Sequence, residues 1–104
     1  MRLKAGVRIQ GLRPEITIGL AVAESLFREH DVDLIVTSVI EGTHSRGSLH
    51  FVGQAADLRS AHLDRDLRQR IRRELDERLG DDFDVVLEQD HFHIEFQPKS
   101  PYGT

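Results

Sequence analysis

Cysteine is absent from this chain of 104 residues, so disulfides and thiolate metal sites are excluded, and any metal ion must be held by nitrogen and oxygen. Long apolar runs are lacking too. No stretch approaches the roughly 18 residues of a membrane span, and Met1 to Gly6 has none of the apolar core of a secretory signal. The expectation is synthesis in the cytoplasm, with work at a cell wall depending on another export route or on release. A basic excess is also missing, since the formal charge is -4. Only Arg65 to Arg73 is locally basic, and its arginines are interleaved with Asp66 and flanked by Asp64, Glu74 and Asp76, as on a solvated helix face. No nucleic-acid partner is expected.

What is present suits one globular domain over residues 1–104: 38% of residues are hydrophobic and 31% charged. A monomer is expected. Six histidines are more than a purely structural role demands.

Leu3, Ala5, Val7 and Ile9 alternate with polar or small residues, which predicts an edge strand running to Gly11. Pro14 and Glu15 suit the first turn of a helix, whose apolar face comprises Ile16, Leu20, Ala23 and Phe27. His30 falls at its polar end and is expected at the surface. Val32 to Ile40 is rich in β-branched residues and reads as a central strand buried on both faces. Glu41 to Ser48 is a loop by composition, and Ala55 to Arg59 reads as a short strand.

Ser60 is the expected N-cap of the second helix. Leu63, Leu67, Ile71, Leu75 and Leu79 recur every four residues along it, and Gly80 stands where a helix ends. His62, at the helix start, is expected at the surface. Phe83, Val85 and Leu87 begin one further strand and His91 to Phe96 another, with Pro98 and Pro101 closing the ordered region. The fold class is therefore α+β, a small, mostly antiparallel sheet with two main helices on one face.

Two stretches carry the chemistry: Ser48 to Asp57 and Glu88 to Glu95. On an extended segment His91, His93 and Glu95 share one face while Phe92, Ile94 and Phe96 share the other. The apolar face anchors the strand and presents two imidazoles together. Residues His50 and Asp57 are near enough for a turn at Gly53 to bring them to one point. Two imidazoles and one carboxylate leave zinc a fourth position for water or substrate. The plainer reading makes His50 and His93 hydrogen-bonded histidines near the core, and Asp57 a cap or a partner of Arg59.

The joined pattern Ser48-x-His50-x-x-Gly53-x-Ala55-x-Asp57, followed by His91-x-His93, resembles the signature of the peptidase M15 group. That group comprises D-alanyl-D-alanine carboxypeptidases, the penicillin-insensitive murein endopeptidase and phage cell-wall endopeptidases, with the amino-terminal domain of hedgehog proteins as a relative. The likeness covers nearly the whole chain and is strongest with short phage members. It implies a hedgehog and DD-peptidase-like fold, Zn2+ held by His50, Asp57 and His93, and a peptidoglycan peptide as substrate. It further implies that His91 or Glu88 handles the proton, and that Ser48, Arg46 and His44 lie on the substrate side.

Glu88-x-x-His91 also fits the carboxypeptidase frame, in which His91 would be the third ligand. His93 is preferred because the His-x-His frame puts Glu88 where the murein endopeptidase branch has its outer histidine. The expected activity is zinc-dependent hydrolysis of a peptide bond in peptidoglycan stems or cross-links. The alternative is a catalytically weak or inactive zinc-containing binding domain, or a phage structural domain, of the same fold.

Overall fold

The computed structural model describes residues 1–7, 14–40 and 55–97. Five strands and two helices follow one another as β1 (Arg2–Leu3), α1 (Pro14–Glu29), β2 (Ile35–Ile40), β3 (Ala55–Arg59), α2 (Arg65–Leu79), β4 (Phe83–Leu87) and β5 (His91–Phe96). The strands form one sheet in the order β1-β2-β3-β5-β4. Only β1 and β2 run parallel, the other three pairings being antiparallel. The class is α+β, with a mixed, mostly antiparallel sheet and two helices.

Both helices cover the same face of the sheet. Ile16, Leu20, Ala23, Leu26 and Phe27 of α1 and Ile71 and Leu75 of α2 share one core with Val36, Ala56, Leu58, Phe92 and Ile94 of the strands. Phe27 meets Phe92 edge to face, with ring centroids 6.0 Å apart. Gly19 lets β4 come close to α1: a Cβ there would lie 3.0 Å from the Phe83 ring. This burial has a direct consequence for function, because alternate residues of β3 and β5 must emerge on the face that neither helix covers, the open face among the described residues.

Three local expectations are corrected. The first strand does not run to Gly11: pairing ends at Leu3, the Val7 amide bonds the Lys4 carbonyl at 3.0 Å, and Gly6 takes φ +90°, a turn that breaks the ladder. Strand β2 is not buried on both faces, since Val36 is buried while Ile35 and Thr37 are only half-buried on a sheet that helices cover on one side. Ser60 is not the N-cap of α2. It is fully buried and its amide bonds Asp90 at the end of the sheet, while the Asp64 carboxylate accepts from the Leu67 amide at 2.8 Å. The helix does end at Gly80, whose φ of +81° is readily accessible to glycine.

The end of α1 is more engaged than its polar sequence suggests. His30, expected at the surface, is half-buried, with Nε2 2.7 Å from Glu74 of α2. Arg78 donates to both Glu29 oxygens, at 2.8 and 2.6 Å. These contacts clamp the two helices, and their exposed parts add little stability each. His62 is exposed as expected, within 2.9 Å of the Asp33 carbonyl.

Candidate metal centre

Strand register assembles the site. In the β3 and β5 ladder Asp57 is opposite His93 and Arg59 opposite His91, while Ala56 and Leu58 are opposite Ile94 and Phe92 on the core side. Cross-strand partners share a face with Cβ atoms about 4.5–5.5 Å apart, so the buried pairs force Asp57 and His93 together on the open side. Ser38 of β2 is also opposite Asp57, across a register shift that includes Thr37. The Thr37 hydroxyl donates to the Asp57 carbonyl at 3.3 Å. On the far side Val86 of β4 flanks His93.

His93 Nδ1 is 2.8 Å from Asp57 Oδ1, and its Nε2 is 3.1 Å from Glu95 Oε1. Glu95 is itself steadied by the Gln97 amide, which donates to its second oxygen. His91 Nδ1 is 2.7 Å from Asp90, while Nε2 is 3.4 Å from Glu88 and 3.7 Å from the same Asp57 oxygen that meets His93. Two imidazoles thus stand among four carboxylates.

Electrostatics follow from this crowding. For His93 burial is the largest single influence and pulls its pKa down, but the hydrogen bonds and charges of Asp57 and Glu95 together outweigh it and hold the value above the ordinary 6.5. For His91 the hydrogen bond to Asp90 dominates and, with the charges of Asp57 and Glu88, also raises it, against some desolvation. Asp90 is lowered in turn, chiefly by that same bond. An imidazolium at His93 donates to a carboxylate from each ring nitrogen, so this arrangement satisfies its protonated form.

A stability dependence on pH follows. Because both histidine values are raised on folding, the stabilisation is fully present below the unfolded value and is lost as pH rises through the folded ones. The metal-free protein is expected to lose stability as pH rises above the ordinary histidine value of about 6.5, by no more than about 1 kcal/mol because both rings are partly exposed. In a thermal melt that is a drop of at most about 4–8 °C. A flat profile, or one rising with pH there, would contradict the assignment.

Of the residues singled out in the sequence, the structure brings together Asp57, His93, His91 and Glu88. His50, Ser48, Arg46 and His44 lie outside the described residues. Among the described residues no group of three or more histidines and acids has the geometry of a metal site. Asp57 and His93 nevertheless fit two positions of a zinc set. Tetrahedral ligand atoms at about 2.0–2.1 Å from zinc stand about 3.3 Å apart, so from 2.8 Å the pair must part by roughly 0.5 Å. Glu95 would then keep the second ring nitrogen protonated, the carboxylate partner that metal-bound histidines usually have.

Sequence reading overlooked the roles of Glu95 and Asp90. Period-two alternation already placed Glu95 beside His93, but only the folded hairpin turns Asp90 back onto His91. Arg59 is not the partner of Asp57, which is taken by His93 instead. Compared with known proteins, the chain matches no family model, no curated protein and no solved structure.

Proposed function

We propose that this chain is a zinc-dependent peptidase domain of the M15 type, with a hedgehog and DD-peptidase-like fold, that hydrolyses a peptide bond in peptidoglycan stem peptides or cross-links. The observation that carries this reading is the convergence of His93 Nδ1 and His91 Nε2, both of β5, on one oxygen of Asp57 of the neighbouring β3, at 2.8 and 3.7 Å. Asp57, His93 and His91 stand side by side on the sheet face away from the helices, which supports reading them as a ligand pair and a proton carrier in the frame of the sequence signature.

His50, Asp57 and His93 would hold the ion, Glu95 orienting the His93 ring. When bound, zinc supplies Lewis acidity toward water and toward the peptide carbonyl. His91 takes up a proton at Nε2 and returns it to the leaving amine, while Asp90 holds the Nδ1 proton and so selects the tautomer. Glu88, 3.4 Å from Nε2, stabilises the positive charge that develops on the ring.

The division between His93 as ligand and His91 as proton carrier is open to direct measurement. His91→Ala is expected to keep about one zinc per chain while lowering release of amino groups from purified cell-wall fragments by about 10²–10⁴-fold. Loss of zinc from that variant would instead make His91 the ligand, as the Glu-x-x-His frame has it. No release from the unchanged zinc-loaded chain would remove the peptidase reading.

The second reading, a zinc-containing binding or phage structural domain without turnover, is favoured by one observation. Both imidazoles already have carboxylate partners within 2.8 Å, so the cluster also works as an ionic staple between β3 and β5 and on the turn that joins β4 to β5. Full zinc content without amino-group release would select it.

A further inference from the structure

On the open face, immediately beside His91, lies a groove of about 630 Å³ lined by residues from four separate segments. Lys4, from the segment after β1, and Arg59, from β3, are exposed on it, and Arg2 lines it too. Leu3, Ile35 and Ala61 supply apolar wall.

The charge balance of this groove is opposite to that of the chain as a whole, which is -4. Asp90, the one acid among the described residues of its lining, is bound by His91 at 2.7 Å. Arg2 has a loose, exposed pairing with Asp33 at 3.6 Å. Among the described residues neither Lys4 nor Arg59 has a carboxylate within ion-pair distance. Two cations with no carboxylate of the described residues in ion-pair contact, over an apolar wall and next to the candidate site, suit an anionic group on an otherwise aliphatic ligand, although the charge of Arg59 also acts on Asp90. Guanidinium and ammonium groups both bind carboxylates through charge-assisted hydrogen bonds.

We infer that this groove is a carboxylate subsite, in which Lys4 and Arg59 bind a carboxylate of a peptide that lies across the open sheet face beside His91. The position of the reacting bond at Asp57 and His93 rests on the proposed peptidase reading; the carboxylate preference does not. The carboxylate comes either from the C-terminus of the peptide or from an acidic side chain within it.

Three probes separate these cases in titrations of the full chain, followed by backbone NMR shifts in the presence of a chelator so that no metal contributes. They are N-acetyl-trialanine, its C-terminal amide, and the amide of N-acetyl-Ala-Glu-Ala. At least one of the two acids is expected to bind about ten-fold more tightly than trialanine amide, and which one does so names the source. Shifts should centre on Lys4, Arg59 and His91. The preference should vanish in Lys4→Gln/Arg59→Gln, two exposed positions whose replacement leaves the core untouched, with circular dichroism checking the fold.

Equal binding of all three probes to the unchanged chain would overturn the subsite, as would a preference that survives the double substitution. Zinc content and cell-wall hydrolysis are read separately. If hydrolysis fails but the acid preference holds, the peptidase reading falls and the subsite stands. If hydrolysis proceeds with no acid preference, the subsite falls alone.

Discussion

Replacing His93 by alanine is expected to remove zinc from the purified chain and to lower peptide hydrolysis by on the order of 10³-fold or more, the rate equivalent of several kcal/mol of lost transition-state stabilisation. The reason is positional. His93 is the residue directly opposite Asp57 in the ladder and 2.8 Å from it, whereas His91 Nε2 stands 3.7 Å from the same oxygen. Stability should change less than activity, since the ring and its two carboxylate partners all keep some contact with solvent. Elemental analysis gives the first readout and amino-group release the second. A His93→Ala chain that retained one zinc and full hydrolysis would sink the ligand assignment.

Phe92→Ala is expected to have the largest effect on stability, about 3–5 kcal/mol. Phe92 is fully buried, packs edge to face on Phe27, and lies between the two candidate site histidines in sequence. With total stability of a small domain at about 5–15 kcal/mol, such a loss consumes a large part of it. The denaturant midpoint should fall sharply with little change in slope if the native fold is kept. Because the side chain anchors the face opposite His91 and His93, its loss should also loosen the pairing of β5 with β3 and weaken zinc binding. A cost under about 1 kcal/mol would mean that the core closes around the gap, contrary to the packing seen here.

Much of the architecture was legible in local pattern. The four-residue recurrence from Leu63 to Leu79 marked α2, Gly80 marked its end, and Pro14 with Glu15 marked the start of α1. The opposed faces of β5 could be read from His91 to Phe96 alone. Errors fell where tertiary contacts outweighed local preference. Ser60 has the chemistry of a cap, yet its amide is drawn to Asp90 and the capping passes to Asp64. The alternation after Leu3 has the period of a strand, but the turn at Gly6 cuts it short. His30 has no local feature that foretells a partner 44 residues away on another helix.

The site divides along the same line. Sequence by itself determined that His91, His93 and Glu95 share one face of an extended segment, because side chains alternate along any strand. It also determined that nitrogen and oxygen are the donors for any metal, cysteine being absent. Only the tertiary structure decided that Asp57 is opposite His93, 36 positions away in the sequence beyond a helix and the first strand of a hairpin. That register is held by the core pairs on the other face, Ala56 with Ile94 and Leu58 with Phe92. A slip of one residue along β3 would bring Asp57 opposite an apolar residue of β5, with its carboxylate turned toward the helices and Leu58 toward water, at the cost of the whole buried face.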